Sequence, residues 1–275
     1  MEKIILVFFI TVSSIVYSSG VEEWNVPNEW EALYYHGYTK EKVIKKRTLR
    51  FLVWNIHKEV NENLWKEEFL KLSEQKDIVL LQEFTTNLKY DQFPSSFGEK
   101  GAVFGESFEH KGVRTGNLSL TDYRPNDSYV YHSFDREPII NTPKPILKTV
   151  YALKDGRDLV VFNVHGINFK KLEPFERYMK IIARQLLVYQ GPVIVAGDFN
   201  SWSKRRLNFM KKTLGEFNLK QIKFKNSELI KTWRGNKLDH AFQRGFDVVS
   251  AYVPKGIESS DHAPLVFTLK LLPRN

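Results

Sequence analysis

Short apolar runs that end in polar residues constrain the fold of this chain more than any other feature. Each run has the length of a β-strand and is either continuously apolar or alternating. The predicted strands cover residues 49–56, 78–81, 129–132, 146–153, 159–164, 193–196, 239–242 and 264–271. Apolar residues at helical spacing between them predict helices near 64–72 and 175–189. Many strands with interspersed helices favour a mixed α/β sandwich.

The chain length and composition favour one large domain. The chain has 275 residues, of which 42% are hydrophobic, and shows no internal repeat or linker after residue 47. We therefore predict a single domain over residues 48–275. The formal net charge of +9 favours an anionic partner, which could be nucleic acid, a phospholipid surface or another phosphate ester.

The absence of cysteine limits the chemistry that the chain can perform. Without cysteine, a disulfide scaffold, a thiolate zinc site and a cysteine nucleophile are excluded. Any metal must therefore be held by oxygen atoms or imidazole nitrogens.

The N-terminal segment has the order of a signal peptide. One lysine precedes an apolar run over residues 4–17, and the small residues Ser18, Ser19 and Gly20 follow it. The run is shorter than the roughly 18 to 20 residues of a spanning helix. We predict a signal peptide or an uncleaved membrane tether over 1–20 and an N-terminal extension over 21–47. The protein is then exported, periplasmic or secreted, or it stays tethered to the membrane.

Polar residues at the ends of three predicted strands are candidates for a shared site. Asn55 and His57 alternate onto one face of the first strand. Glu83 follows an apolar run and is explained either by a bound cation or by an ordinary solvated strand end. Asn163 and His165 also share a face, although a lone histidine in such a place is commonly structural.

Two further groups of polar residues suit hydrolytic chemistry. Asp198 and Asn200 share a face, so that a carboxylate able to orient water lies beside an amide able to bind a phosphate oxygen. The same pair also suits an Asx turn that caps the next helix, and both roles are compatible. Asp239 could accept a hydrogen bond from His262 and keep the imidazole charged.

The ordered motifs resemble the signature of the endonuclease/exonuclease/phosphatase superfamily. They are Trp-Asn-Ile-His at 54–57, Leu-Gln-Glu at 81–83, Asn-Val-His at 163–165, Gly-Asp-Phe-Asn at 197–200, Leu-Asp-His-Ala-Phe at 238–242 and Ser-Asp-His-Ala-Pro-Leu at 260–265. The resemblance spans about 48–272 and implies a DNase I-like four-layer αββα sandwich with two packed mixed β-sheets. Segments 142–144, 163–169 and 198–203 resemble a little-characterised bacterial branch of this superfamily.

The resemblance implies a set of metal ligands. Glu83 corresponds to the principal ligand, and Asn55 and Asp261 complete or support its shell. The implied cofactor is Mg²⁺, with Mn²⁺ or Ca²⁺ as possible substitutes, because oxygen sites discriminate among these ions by size and geometry.

The resemblance also assigns catalytic roles. Asp198 orients or deprotonates the attacking water, and Asn200 holds a phosphate oxygen. His262 binds the scissile phosphate and is oriented by Asp239. His165 resembles the second histidine of DNase I-like members.

Basic residues supply candidate phosphate contacts. Arg136 lies in a segment that resembles an arginine-bearing strand of DNase I-like enzymes. Residues 204–225 hold eight basic residues against one acid, which makes Lys204, Arg205 and Arg206 candidate contacts to a nucleic-acid backbone. The same segment has the spacing of an amphipathic helix, whose charged face could simply be solvated.

The predicted function is metal-dependent hydrolysis of phosphodiester bonds. Nucleic acid is the preferred substrate, which makes the chain a DNase-like endonuclease, and a phospholipid or small phosphate ester is the alternative. A binding module without activity is disfavoured because every motif position keeps a competent residue. We expect a monomer that needs no obligate protein partner.

Overall fold

The computed structural model describes residues 24–37, 41–57, 62–86, 100–138, 140–168 and 171–274. The predicted signal peptide or tether over 1–20 lies outside these described residues. No helix within the described ranges is both long and apolar enough to cross a membrane.

The described residues form many short strands and three α-helices. The helices are α1 (Glu62–Ser73), α2 (Leu172–Leu187) and α3 (Lys204–Gly215). In chain order the strands are β1 (Trp24–Asn25), β2 (Leu33–His36), β3 (Val43–Ile44), β4 (Thr48–Asn55), β5 (Ile78–Thr86), β6 (Gly101–His110), β7 (Val113–Thr121), β8 (Asp127–His132), β9 (Pro145–Leu153), β10 (Asp158–His165), β11 (Val193–Asp198), β12 (Lys220–Gln221), β13 (Thr232–Trp233), β14 (Asn236–Lys237), β15 (Asp239–Arg244), β16 (Phe246–Tyr252) and β17 (Leu265–Leu271).

These strands form two large mixed sheets. Within the described ranges the first sheet has the order β1-β6-β7-β5-β4-β17-β16, and β2 also pairs with β6. The second has the order β12-β15-β11-β10-β9-β3, and β8 also pairs with β9. In each sheet one central pair is parallel, β4 with β5 and β10 with β11, and antiparallel strands flank it.

The apolar residues divide among three layers of packing. Phe51 of β4 and Phe267 of β17 pack against Ile194 of β11 between the two sheets. Trp65 of α1 packs on the outer face of the first sheet, and Phe175 of α2 packs on the outer face of the second. Because each sheet is covered by helices on its outer face, its central strands are apolar on both sides. The predicted four-layer αββα sandwich is confirmed.

The described part of the predicted N-terminal extension belongs to the folded unit. Strand β2 pairs antiparallel with β6, and β3 pairs in parallel with β9. Ala32 and Ile44 are buried among the core residues. Segments before residue 48 therefore add strands to both sheets.

Candidate active site

Three strands of the second sheet align polar side chains at one end. In the parallel pair of β10 and β11, His165 is in register with Asp198. In the antiparallel pair of β11 and β15, Asp198 is in register with Asp239. The hydrogen-bonded register therefore holds the three side chains in one row at the strand ends.

Two glycines let the backbone close tightly around this row. A Cβ at Gly197, where φ is +143°, would lie 2.0 Å from the carbonyl oxygen of Val164. A Cβ at Gly166 would lie 2.2 Å from the carbonyl oxygen of Phe199. Neither position can hold a larger residue without moving the backbone, so these glycines are required for the close approach of β10 and the end of β11.

The first sheet contributes an amide and a carboxylate to the same place. Asn55 ends β4, and Glu83 lies in β5, where the pairing with β7 shifts register between Leu81 and Phe84. Glu83 has a φ of +57°, an uncommon value for a residue with a side chain. A bulge with this backbone re-aims a side chain out of the regular alternation, and Glu83 lines the cleft.

The loop before β17 is tied to the end of β4. The indole nitrogen of Trp54 donates to the carbonyl oxygen of His262 at 2.8 Å. The hydroxyl of Ser260 donates to the carbonyl oxygen of Asn55 at 2.7 Å and accepts from the backbone nitrogen of His262 at 3.1 Å. These bonds position His262 beside the strand ends of both sheets.

His262 and Asp239 form a buried, charge-assisted pair. His262 Nδ1 lies 2.8 Å from Asp239 Oδ2 and 3.1 Å from Asp239 Oδ1. Burial opposes the charged imidazole, but the negative charges of Asp239 and Asp198 outweigh it and raise the pKa of His262 to about 9. The histidine is therefore a cation at neutral pH, with Nε2 3.9 Å from Asp198 Oδ2.

Asp198 lies at the centre of the site and is buried. Its Oδ1 accepts from the backbone nitrogen of Asn200 at 2.8 Å, and its Oδ2 accepts from the amides of Asn55 at 3.1 Å and Asn200 at 3.2 Å. Burial, together with the charges of Asp239 and Glu83, raises the pKa of Asp198 to about 7, although His262 opposes the shift. A carboxylate with a pKa near neutrality is suited to accept a proton.

Asn200 is held in an unusual conformation by several bonds. Its φ is +49°, and its side-chain nitrogen donates to the carbonyl oxygen of Gly166 at 3.0 Å. The guanidinium of Arg206 donates to the carbonyl oxygen of Asn200 at 2.9 Å. The Asx hydrogen bond of this pair forms, and Asn200 lines the cleft. The pair does not cap the next helix, because the N-cap of α3 is Ser203, whose hydroxyl accepts from the backbone nitrogen of Arg206.

His165 faces the carboxylates from β10. Its Nε2 lies 3.6 Å from Glu83 Oε1 and 3.8 Å from Asp198 Oδ2. The hydroxyl of Tyr178 in α2 donates to the carbonyl oxygen of His165 at 2.7 Å and holds the strand end in place. His165 therefore lies within the same polar group as Asp198 and Glu83.

The three predicted metal ligands lie on one side of the site. Asn55 Nδ2 is 3.4 Å from Glu83 Oε1, and the Asn55 oxygen accepts from the backbone nitrogen of His57 at 3.0 Å. Asp261 is half-exposed at the rim, where it pairs with Lys231 and lies 3.7 Å from His57 Nδ1. In this arrangement Asn55 acts as a donor, and a ligand role would require its oxygen to turn toward Glu83.

A second set of side chains has the spacing of a metal site. One ligand atom each from Asp198, Asp239 and His262 lies within 4.8 Å of the others. With Glu83 nearby, the site gathers three carboxylates, and their mutual repulsion is one cause of the raised pKa of Asp198. A divalent cation would relieve this repulsion, so the donor chemistry fits such an ion.

Most of these groups line one cleft of about 820 Å³, whereas Asn55 and Asp239 lie behind them. Its floor holds Glu83, His165, Asp198, Asn200 and His262. Its rim carries basic and aromatic residues that the sequence did not single out as site residues. These are Lys144, Lys171, Lys231 and Arg234 among the cations and Phe108, Trp202 and Trp233 among the aromatics.

The predicted phosphate contacts lie away from this cleft. Arg136 is exposed and donates to the carbonyl oxygen of Asn141 at 3.4 Å. Lys204 and Arg205 are exposed at the start of α3. None of the three is among the described residues that line the cleft.

The prediction for Arg206 is wrong. Its side chain is buried, and the guanidinium donates to the carbonyl oxygens of Ile167 and Asn200 at 2.7 and 2.9 Å. It also lies 4.5 Å from the ring centroid of Trp202. Arg206 therefore stabilises the loop that carries Asn200 and is not available to a substrate phosphate.

The sequence also gave no indication of the role of Trp54. Strand alternation sends Trp54 to the face opposite Asn55, and its ring packs in the core under α1. From there its indole nitrogen reaches the backbone of His262. A contact between residues 208 positions apart leaves no local signal in the sequence.

Comparison with known proteins identifies the family of this chain. The sequence profile of the Endonuclease/Exonuclease/phosphatase family matches residues 52–262. The chain belongs to this family. It is also 34% identical over 230 residues to a UPF0294 protein of Vibrio campbellii, and the match covers 82% of this chain and 79% of the relative. The predicted superfamily and bacterial branch are confirmed.

Solved structures agree with the fold. An endonuclease/exonuclease/phosphatase from Beutenbergia cavernae has a TM-score of 0.64 at 18% identity, covering 82% of this chain and 72% of that one. The endonuclease domain of TRAS1, a telomere-specific non-LTR retrotransposon, has a TM-score of 0.55 at 18% identity, covering 82% and 100%. Members of the endonuclease/exonuclease/phosphatase family hydrolyse phosphate esters and generally use divalent metals.

Proposed function

We propose that this protein is a Mg²⁺-dependent phosphodiesterase that cleaves nucleic acid as an endonuclease. One observation carries the proposal: the charged His262 and Asp239 pair faces Asp198 and Asn200 at the floor of a single cleft, with Glu83 beside them. This arrangement places a cation, a proton acceptor and an amide around one point. Those are the groups that stabilise attack of water on a phosphodiester.

The side chains of the site have different catalytic roles according to their charge. Asp198 accepts the proton of the attacking water, for which a pKa of about 7 is suitable. His262, kept charged by Asp239, donates from Nε2 to a phosphoryl oxygen and offsets its growing negative charge. Asn200 holds the phosphate through its amide nitrogen, which exchanges its bond to Asp198 Oδ2 for one to the phosphate, and Arg206 keeps the Asn200 backbone in place.

Glu83 is the residue best placed to hold the cation. His262 is protonated and its Nδ1 is engaged with Asp239, which makes it a poor metal ligand. Glu83 lines the cleft and lies next to Asn55, with Asp261 at the rim. A bound Mg²⁺ would supply Lewis-acid stabilisation of the phosphoryl charge, and Mn²⁺ or Ca²⁺ could occupy an oxygen site of this kind.

The rim of the cleft favours nucleic acid as the substrate. Lys171 and Arg234 bring positive charge to the entrance, which suits a phosphate backbone, whereas the charge of Lys144 is paired with Glu137 at 3.3 Å. Trp233 is 58% exposed beside them and offers a surface on which a base can stack. A rim that combines cations with an exposed aromatic ring fits a polymer of phosphates and bases better than a single phosphate group.

A phospholipid or small phosphate diester is the second candidate. Phe108, Ile140, Pro145 and Trp202 give the cleft an apolar wall that could hold an acyl chain or an organic ester group. The same wall is compatible with a nucleoside, so the substrate has to be tested directly.

A substrate panel tests the proposal. The full-length protein is incubated with single-stranded DNA, duplex DNA, RNA, phospholipid vesicles and bis(4-nitrophenyl) phosphate, each with Mg²⁺ and with EDTA. We expect Mg²⁺-dependent cleavage within DNA, with internal fragments as first products. Cleavage of vesicle lipid without cleavage of nucleic acid would support the second candidate, and release of single nucleotides would contradict endonuclease action.

The location and assembly of the protein are part of the proposal. The signal-like pattern over 1–20 supports export, with a periplasmic or secreted enzyme or a membrane-tethered one. The substrate is the expected partner, and the enzyme acts as a monomer. Cell fractionation and light scattering of the purified protein test the two statements.

A further inference from the structure

A second cavity lies on the other side of the hairpin that borders the catalytic cleft. Its volume is about 480 Å³. We call it the lysine cavity, because Lys211, Lys223 and Lys237 line it. Ile222 and Phe224 also line it. A polar, positively charged opening over an apolar wall is the form of a site for an anionic ligand with an organic part.

The β13–β14 hairpin separates this cavity from the catalytic cleft. Trp233 and Arg234 line the cleft, whereas Gly235, Asn236 and Lys237 line the lysine cavity. Arg234 and Gly235 form the two-residue tip with φ of +48° and +77°. Asn236 Nδ2 donates to the carbonyl oxygen of Trp202 at 3.1 Å, which anchors the hairpin. A nucleic-acid strand that leaves the cleft over this tip reaches the lysine cavity directly.

The charge of the cavity is not neutralised by neighbouring side chains. None of its three lysines forms an ion pair with a carboxylate of the described residues. Asp239 is the one carboxylate among the described lining residues, and its oxygens accept from His262. The buried His240 bonds to Ser201 and Gln221, and burial, with Lys211 and Lys237 adding to it, lowers its pKa to about 4. The positive charge of the cavity therefore comes from its three lysines, and His240 adds none.

The location of these lysines explains the basic segment after the catalytic motif. Lys211 and Lys223 both belong to the segment 204–225, and they lie where α3 and the residues after β12 meet the hairpin. Lys204 and Arg205 are exposed elsewhere on α3 and line neither the cleft nor the lysine cavity. The segment therefore places positive charge beside the active site through Lys211 and Lys223, and not through the residues at its start.

We infer that the lysine cavity binds the backbone phosphates of a single nucleic-acid strand whose neighbouring phosphate occupies the catalytic cleft. The inference rests on the proposed function, because it takes the ligand of the cleft to be a nucleic acid. It assigns the strand a path over the tip of the β13–β14 hairpin. The cavity then contributes affinity for long substrates and takes no part in the chemical step.

Binding without turnover tests the inference. Full-length protein with Asp198→Asn, in EDTA, is titrated into labelled oligothymidine of about 20 nucleotides, and anisotropy is followed across a salt series. We expect the added Lys211→Gln and Lys223→Gln pair to weaken binding about tenfold at about 50 mM salt. The slope of log affinity against log salt should fall by about 1.4, or about 0.7 for each lost phosphate contact.

A matched control comes from the same segment. Lys212 and Lys220 are exposed and do not line the cavity. The Lys212→Gln and Lys220→Gln pair removes the same charge and should keep the salt slope within about 0.3. An equal fall of the salt slope in both double variants would overturn the inference. Binding would then depend on the net charge of the protein and not on the lysine cavity.

The outcomes separate the inference from the proposed function. In one outcome the protein hydrolyses no nucleic acid, but it binds the oligothymidine with a salt slope that depends on Lys211 and Lys223. The proposed function then fails, and the binding site in the lysine cavity stands. If DNA is cleaved and the slope is unchanged in the Lys211 and Lys223 pair, the site fails and the function stands. Absence of any binding by the long oligonucleotide contradicts both.

Discussion

At the level of single residues, the contact between Asp239 and His262 determines the charge of the active site. We expect Asp239→Asn to lower the pKa of His262 from about 9 toward or below its ordinary value of 6.5, because burial then acts without the main opposing charge. The histidine ring signals of the metal-free protein, followed by NMR across a pH titration, measure the shift. The variant should also lose turnover by about 10²-fold or more.

The same pair has a consequence for stability. Because the pKa of His262 is raised on folding, its charged interactions stabilise the folded state fully below pH 6.5. That contribution is lost as the pH rises through about 9. A titration of His262 that is the same in the wild type and in Asp239→Asn would contradict the role given to this contact.

Arg206 and its neighbour Arg205 form a natural pair for comparison. Arg206→Ala should lower the free energy of unfolding by about 2–4 kcal/mol, because the buried carbonyl oxygens of Ile167 and Asn200 lose their donor. Arg205→Ala, at an exposed position, should change it by less than about 0.5 kcal/mol. Urea unfolding of both variants measures the difference. Equal values would mean that Arg206 is not a structural residue.

At the level of elements, the ends of β10 and β11 depend on a glycine. Gly197→Ala places a Cβ 2.0 Å from the carbonyl oxygen of Val164 at a φ of +143°. We expect this substitution to lower the free energy of unfolding by about 3 kcal/mol or more and to disturb the alignment of His165 with Asp198. Thermal unfolding measures the loss.

Gly215 in α3 is the control, since a Cβ there meets nothing within 4 Å. Gly215→Ala should be neutral or slightly stabilising, because alanine favours a helix more than glycine does. If both variants unfolded alike, the close approach of the strands would not be what requires glycine at 197.

The strands that the sequence predicted are those whose side chains are apolar. Strands β4, β10 and β11 were predicted because their runs are nearly continuous in apolar residues. Strands β6 and β7 were not predicted, because glycines and polar residues interrupt them. Asn117 of β7 is fully buried, and its side-chain nitrogen donates to the carbonyl oxygens of Pro145 and Asn163, partners that no local pattern reveals.

At the level of the whole molecule, the active site lies where the strand ends of the first sheet meet those of the second. The motifs predicted Asp198, Asn200, His165, Asp239 and His262 because each lies at the end of a strand or beside one, and strand ends of a sandwich converge. The rim of the cleft was not predicted, because Trp233 and Arg234 reach it through a short hairpin. Lys204 and Arg205 do not line the cleft, because a count of basic residues carries no information on direction. The resemblance that suggested Arg136 likewise does not say which way its side chain points.

The central claim is that Asp198 and a divalent cation act together on a phosphodiester. The most direct measurement is the rate at which the full-length protein cleaves an internally labelled DNA, with Mg²⁺, with EDTA, and with Mg²⁺ restored after EDTA. We predict cleavage with Mg²⁺, none in EDTA, recovery on restoration, and a rate about 10²-fold or more lower for Asp198→Asn that folds as the wild type does. Undiminished cleavage in EDTA, or wild-type rates from a folded Asp198→Asn protein, would contradict it.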